Sequence, residues 1–97
     1  MISKEIIARL KDKGKRFYAG DNISEVLEPG DKEKLIDELQ GKFYEVLKSL
    51  VIDTENDPNS MDTPRRLAKM YVNEIMSGRY NTMPNPNAFP NYVEGGY

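Results

Sequence analysis

The chain has 97 residues, of which 31% are charged and 38% are hydrophobic, and its formal net charge is −2. This length accommodates one domain with a small core, and so weak a charge does not point to nucleic acid as a partner. Because Cys and His are absent, disulfides, thiolate nucleophiles, the two commonest types of zinc ligand and the usual proton shuttle near neutral pH are excluded. The chain alone is therefore predicted to contain no catalytic, cofactor-binding or metal-binding residues.

The N-terminal segment, Ile2 to Lys13, has the pattern of a short amphipathic helix. Ser3 is its candidate N-cap and Gly14 its stop signal, and three aliphatic residues share one face: Ile6, Ile7 and Leu10. Along the chain, charged residues interrupt these apolar residues, so there is no long apolar run and the segment fits neither a signal peptide nor a membrane span. A soluble, cytoplasmic protein without membrane contacts is expected.

Basic residues cluster at the end of this segment, followed by two aromatic residues: Lys11, Lys13, Lys15, Arg16, Phe17 and Tyr18. Such a cluster could bind a nucleic acid strand by neutralising phosphates and stacking on bases. The alternative, which we favour, is a solvated helix end whose cations lie near the negative pole of the helix dipole. The connector from Phe17 to Gly30 is long, so the first helix is not expected to pack tightly against the next.

Two longer helices are predicted to form the core as an antiparallel hairpin, over residues 31–52 and 63–77. Asp31 and Thr63 are their candidate N-caps, and Gly78 is expected to end the second helix in a left-handed conformation. A polar connection of about ten residues would let the second helix fold back on the first. The predicted packing face consists of Leu39, Phe43, Leu47, Leu50, Leu67, Met70, Tyr71 and Ile75. Gly41 either permits a close helix crossing or is simply tolerated.

Arg65 and Arg66 are the only functional candidates of the second helix. They lie in the first turn of the second helix, where backbone amides and the dipole favour an anion. The alternative, which we favour, is an ion pair with Asp62 or with an acidic neighbouring element. The acidic connection does not fit a calcium loop, because Pro58 and Pro64 occupy the positions that require Gly and a bidentate Glu.

Three Pro and four Asn between Asn81 and Asn91 predict an extended Pro-rich tail over residues 81–97. Four apolar side chains of this tail are expected to pack on a surface outside the chain: Phe89, Tyr92, Val93 and Tyr97. The predicted organisation is thus mainly α, with an N-terminal helix and connector over 1–30, the helical hairpin over 31–80 and the tail over 81–97.

Three stretches, Asp57 to Asn59, Asp62 to Tyr71 and Glu74 to Gly78, closely resemble the N-terminal helical region of GTP cyclohydrolase I. The resemblance implies an enzyme that converts GTP to 7,8-dihydroneopterin triphosphate. It also implies a ring-shaped oligomer of tunnelling-fold subunits and a catalytic zinc held by two cysteines and a histidine. The zinc motif and the GTP-binding glutamate would all lie beyond Tyr97. No catalytic or metal residue therefore carries over to this sequence, and zinc is expected only in a full-length family member.

Two functions remain open from the sequence. The first is the N-terminal portion of a GTP cyclohydrolase I-like enzyme, with a structural or assembly role and no activity by itself. The alternative is a free-standing helical interaction module derived from that enzyme. Either would bind a protein partner, or further copies of itself, through the apolar stripe of the hairpin. Folate, pterin and 7-deazaguanine synthesis all remain open as the pathway.

Overall fold

The computed structural model describes residues 1–82, and every regular element within them is helical. The elements are α1 (Ile2–Asp12), a 3-10 turn (Ser24–Val26), α2 (Asp31–Ser49), α3 (Thr63–Met70), a π turn (Tyr71–Ile75) and α4 (Ser77–Tyr80). The predicted mainly α fold is confirmed. The Pro-rich tail from residue 83 onward lies outside the described residues, as do the packing predictions for Phe89, Tyr92, Val93 and Tyr97.

The hairpin of α2 and α3 is present, and these two helices form the most extensive helix contact in the described structure. The ring of Phe43 on α2 stacks on that of Tyr71, with centroids 5.5 Å apart. The second arm of the hairpin consists of α3, the π turn and α4. At its end it returns to the beginning of α2, where Lys32 Nζ donates a hydrogen bond of 2.6 Å to Asn81 Oδ1. The 50–62 connection therefore reverses the chain, as an antiparallel hairpin requires.

Two helix ends show how the chain leaves a helix in the left-handed conformation. Gly14, the second residue after α1, has φ 64°, and the Lys15 amide donates to the Leu10 carbonyl at 2.9 Å. The end of α2 has the same bonding pattern, with Val51 at φ 65° and the Ile52 amide 3.1 Å from the Leu47 carbonyl. This pattern satisfies carbonyls that a helix end leaves free. The sequence predicted that α2 continues to Ile52, and this left-handed turn explains why it ends at Ser49 instead.

The predicted side-chain caps are wrong at all three helix starts. Met1, Gly30 and Asp62 precede the helices, and none makes a side-chain cap. The Ser3 and Asp31 side chains contact other elements, and the Thr63 hydroxyl donates to the Asn59 carbonyl at 3.4 Å. The predicted left-handed end at Gly78 is also wrong, because Gly78 lies within α4.

The hydrophobic core includes α1, against the prediction that this helix packs only loosely. Ile2, Ile6 and Leu10 of α1 are all buried in it, and the remaining members are Ile23, Val26, Leu35, Ile36, Ala68 and Val72. The connector adds Ile23 and Val26, so its length does not separate α1 from α2. It folds over the same core and contributes to it.

Two polar contacts also fix α1 on α2. The Ser3 amide donates to Glu38 Oε1 at 2.9 Å, and its hydroxyl donates to Glu38 Oε2. Arg9 Nη1 lies 2.6 Å from Oδ2 of Asp31, a carboxylate that is only 2% exposed. Both contacts depend on an ionised carboxylate of α2. Burial raises the pKa of Glu38, but the two hydrogen bonds from Ser3 and the nearby positive charges of Lys42 and the N-terminus together lower that pKa overall.

The packing face of the second arm differs from the predicted one because of the π turn. The buried residues of this arm are Pro64, Ala68 and Val72. In a regular helix, at about 100° per residue, Ile75 would lie within about 20° of Ala68. The π turn, closed by a 2.8 Å bond from the Met76 amide to the Tyr71 carbonyl, changes this register. Ile75 is consequently 53% exposed, which corrects its predicted place in the packing face.

Other predicted packing residues have mixed positions. Leu47 is buried, Leu39, Phe43, Leu67 and Met70 are partly buried, and Tyr71 is exposed. Leu50 follows the last residue of α2 and is 63% exposed, so its assignment to the packing face is wrong. A Cβ built on Gly41 would meet no atom within 4 Å. Gly41 is therefore tolerated and does not permit a close helix crossing.

Candidate interaction surface

A row of apolar side chains, partly buried at Phe43 and otherwise exposed, runs along the hairpin, and we call it the hairpin face. It consists of Phe43, Val46, Leu50, Tyr71 and Ile75. Val46 and Leu50 follow Phe43 at helical spacing on α2. Ile75 lies about one π turn after Tyr71 on the second arm. The stack of Phe43 on Tyr71 joins the two rows into one surface.

Charged residues of both signs border the hairpin face. Lys48 Nζ lies 3.6 Å from Glu45 Oε2 on α2, and Glu74 is exposed within the π turn. An apolar centre with a polar rim is typical of protein interfaces. Exposed apolar residues that are contiguous mark contact sites more often than isolated ones do. The hairpin face is therefore the best candidate for a functional surface among the described residues.

The two arginines of α3 occupy different environments. Arg65 Nη1 lies 3.0 Å from Asp37 Oδ1 and 2.9 Å from Gln40 Oε1, so it bridges α3 to α2. Arg66 is exposed, and its backbone amide donates to the Asp62 carbonyl at 3.0 Å. The structure therefore places Arg65 in an ion pair with the neighbouring helix and does not bring the two guanidinium groups together on one anion site.

Replacing Arg65 by Ala should lower the free energy of unfolding by no more than about 1 kcal/mol, because exposed ion pairs contribute little. Arg66→Ala is the matched control and should leave the unfolding midpoint in urea unchanged. The measurement is urea denaturation followed by circular dichroism. A larger loss for Arg66→Ala than for Arg65→Ala would contradict this assignment.

The basic cluster after α1 is partly neutralised by local partners. Arg16 donates to both carboxylate oxygens of Asp21 at 2.9 and 2.7 Å, and its guanidinium lies 4.5 Å from the centre of the Tyr18 ring. This hydrogen bonding from Arg16 lowers the pKa of Asp21 to about 2. Lys15 pairs with Glu25. The arrangement favours the interpretation of a solvated, paired segment over a nucleic acid surface.

The acidic connection between α2 and α3 stabilises its own turn. The Asp53 carboxylate accepts hydrogen bonds from the Asn56 side chain and amide at 2.9 and 3.2 Å, and these bonds lower its pKa. Within residues 1–82, no group of three or more His, Cys, Asp or Glu side chains is placed to hold a metal ion. No helix in that part of the chain is both long and apolar enough to cross a membrane.

Sequence reasoning found most of the residues of the hairpin face but assigned them to the wrong role. Phe43, Leu50, Tyr71 and Ile75 belonged to the predicted packing face, because helical spacing identifies an apolar face without showing what covers it. Arg79 was missed altogether, although its guanidinium contacts four backbone carbonyls. An isolated Arg near a helix end has no pattern that would reveal such contacts.

The chain is similar to several curated proteins named GTP cyclohydrolase 1, which confirms the resemblance found in the sequence. The chain is 38% identical over 59 residues to the protein of Aeromonas salmonicida (strain A449), 60% of this chain and 27% of the relative. Identity is 46% over 55 residues with that of Actinobacillus pleuropneumoniae serotype 5b (strain L20), 56% and 25% respectively. It is 42% over 65 residues with that of Haemophilus ducreyi (strain 35000HP / ATCC 700724), 66% and 29% respectively.

These matches span between 25% and 29% of the length of the relatives. No family model matches the chain, and no solved structure matches it.

Proposed function

We propose that this chain is a helical assembly element of a GTP cyclohydrolase 1-related protein, corresponding to its N-terminal helical segment. It would supply contacts between subunits and not the reacting groups. The observation that carries the proposal is an exposed hairpin face in a chain similar to about a quarter of GTP cyclohydrolase 1. The resemblance assigns the ring opening of GTP to a zinc held by cysteine and histidine, and the 97 residues contain neither residue type.

The geometry of the hairpin supports a contact role. Tyr71 and Ile75 are 40% and 53% exposed. A chain this small buries a limited share of its surface, so burial of these side chains against a partner would add to its stability. Burying such side chains against another surface is favourable by roughly 25 cal/mol for each Å² removed from water. The mixed charges at the rim suit a second copy of the chain, since each sign can meet its opposite across a two-fold interface.

The oligomeric state of the 97-residue chain tests this proposal. In size-exclusion chromatography with light scattering, we expect the mass of an oligomer, at least twice the 11.1 kDa of one chain. Ile75→Ser should shift the protein to the monomer with an unchanged circular dichroism spectrum, because it removes apolar surface that the folded chain does not bury. Met61→Ser is the matched control, since Met61 is 50% exposed but lies outside the hairpin face.

A monomeric wild-type chain throughout the micromolar range would contradict self-assembly through this face. Equal dissociation by Ile75→Ser and Met61→Ser would contradict the assignment of the contact to the hairpin face. The isolated chain should also form no 7,8-dihydroneopterin triphosphate from GTP, with or without added zinc. Product formation would overturn the assembly role.

The second candidate, a free-standing interaction module, rests on the same exposed face. It predicts a chain that stays monomeric alone and forms a complex with a different protein. Mixing the chain with full-length GTP cyclohydrolase 1 of Aeromonas salmonicida, followed by the same light-scattering measurement, separates the candidates. A mixed complex without self-association favours the module, and self-association without a mixed complex favours the assembly element.

A further inference from the structure

Residues 17–23, which we call the strap, cross the end of the second arm and are held there by one guanidinium group. Arg79 Nη1 lies 2.6 Å from the carbonyl oxygen of Tyr18, 3.1 Å from that of Asp21 and 3.5 Å from that of Ala19. Its Nη2 donates to the Phe17 carbonyl at 3.2 Å. A guanidinium has five N–H donors in a planar fork, which lets one side chain satisfy several carbonyls at once.

Hydrogen bonds in the opposite direction make this contact reciprocal. The Ile23 amide donates to the Arg79 carbonyl at 2.7 Å. Asn22 Nδ2 donates to the Gly78 and Asn81 carbonyls at 2.9 and 2.8 Å. The strap and residues 78–81 therefore hold each other through hydrogen bonds in both directions.

A small apolar cavity of about 150 Å³ lies between the strap, α1 and the end of the second arm. The strap contributes Phe17 and Ile23 to its walls, and the second arm contributes Arg79 and Tyr80. The remaining lining residues come from α1 and α2: Ser3, Ile6, Ile7, Leu10 and Leu35. An apolar cavity of this size is large enough for a single aromatic ring.

Polar contacts rather than apolar packing hold most of the strap in place. Tyr18, Ala19, Gly20 and Asn22 are exposed, and only Ile23 belongs to the buried core. Segments with few buried apolar contacts open locally at a lower free energy than the rest of a protein. Loss of the Arg79 side chain would leave several strap carbonyls without their protein partner at the same time.

We propose that the strap opens and closes over the apolar cavity by breaking and re-forming its contacts with residues 78–81, with Arg79 as the residue that holds it closed. The bonds from Asn22 and Ile23 run to residues 78–81, so displacement of the chain at Asn81 also displaces the strap. Access to the cavity and the position of Asn81 are then thermodynamically linked, and a change at either affects the other. This inference concerns a different part of the molecule from the hairpin face and is independent of the proposed function.

Hydrogen exchange measured by NMR on the full chain tests the coupling. In Arg79→Ala, exchange of the Asp21, Ile23 and Asn81 amides should accelerate about tenfold or more, since charge-assisted hydrogen bonds are lost. A fluorescent hydrophobic dye, 8-anilinonaphthalene-1-sulfonate, should bind the variant more strongly than the wild type. Amides in the middle of α2 should keep their wild-type exchange rates. Arg66→Ala is the matched control, because it removes an exposed Arg of the same arm, and it should change none of these rates.

Two further measurements separate this device from general destabilisation. Guanidinium chloride at concentrations far below those that denature proteins should restore slow exchange in Arg79→Ala, because the free cation can occupy the place of the side chain. Asn22→Ala should accelerate the Ile23 and Asn81 amides together while leaving Arg79 in place. Acceleration of Ile23 without Asn81 in Asn22→Ala, or failure of guanidinium to slow exchange in a folded Arg79→Ala, would overturn the proposal.

Discussion

Replacing Leu10 by Ala is expected to lower the free energy of unfolding by about 2–5 kcal/mol, the range for large-to-small substitutions in a packed core. Leu10 is 2% exposed and packs in α1 within the cluster that contains Leu35, Ile36 and Val72. Truncating this side chain would take away buried methyl groups. It would also leave a cavity that the surrounding connector, α2 and second arm can only partly close. For a chain this small, such a loss is a large share of the total stability.

Urea denaturation followed by circular dichroism measures this loss. Lys11→Ala is the matched control, because Lys11 neighbours Leu10 in α1 but is exposed. We expect the control to change the free energy of unfolding by less than about 0.5 kcal/mol. If Leu10→Ala costs no more than Lys11→Ala, α1 does not belong to the core in solution.

Replacing Asp31 by Asn should cost about 1.5–3 kcal/mol at neutral pH, the range for hydrogen bonds to charged groups. The Asp31 carboxylate accepts bonds from the Glu28 amide at 2.9 Å and from Arg9 at 2.6 Å. Arg9 Nη2 also lies 3.6 Å from Glu28 Oε1 and 3.9 Å from Glu5 Oε1. Its Nη1 donates to the Val26 carbonyl as well. The neutral amide would therefore weaken a network that joins α1, the connector and α2.

The pH dependence of stability provides a second test of Asp31. The Glu28 amide and then Arg9 hold the pKa of Asp31 below its usual value of 3.8, although burial acts in the opposite direction. Between the folded and the unfolded pKa, the unfolded chain binds more protons, so stability rises with pH. The contribution of Asp31 is thus complete well above pH 3.8 and is lost as the pH falls through the lower, folded pKa.

Asp31→Asn should consequently show a weaker loss of stability than the wild type between pH 5 and pH 2, as measured by urea denaturation at each pH. Asp12→Asn is the control, because Asp12 is exposed at the end of α1, and it should keep the acid sensitivity of the wild type. An unchanged acid sensitivity in Asp31→Asn would mean that other carboxylates, such as Glu38, account for the pH dependence.

The sequence was sufficient to predict helices where apolar residues recur at helical spacing and where turn signals bound them. Gly14 ends α1 as predicted, because its left-handed conformation needs no Cβ. The docking of α1 could not be predicted, since it depends on long-range partners such as Asp31 and Glu38. A carboxylate on a polar helix face looks solvated in the sequence, whether or not another element covers it.

The candidate surface illustrates the same limit in physical terms. Helical spacing correctly placed Phe43, Tyr71 and Ile75 among the apolar residues of the hairpin, but it could not separate those that pack inward from those that remain exposed. The regular period of 3.6 residues assumes an uninterrupted helix. The π turn breaks that assumption after Met70.

For sequence comparison, the π turn acts as a one-residue insertion. Counting one residue fewer after Tyr71 moves Met76 and Tyr80 to within about 20° of Ala68 on a helical wheel. This agrees with their partial burial and with the packing of Tyr80 against the core. An alignment of this arm with an uninterrupted helix should therefore place a single gap between Tyr71 and Met76. Without that gap, Ile75 would be paired with a core position that it does not occupy.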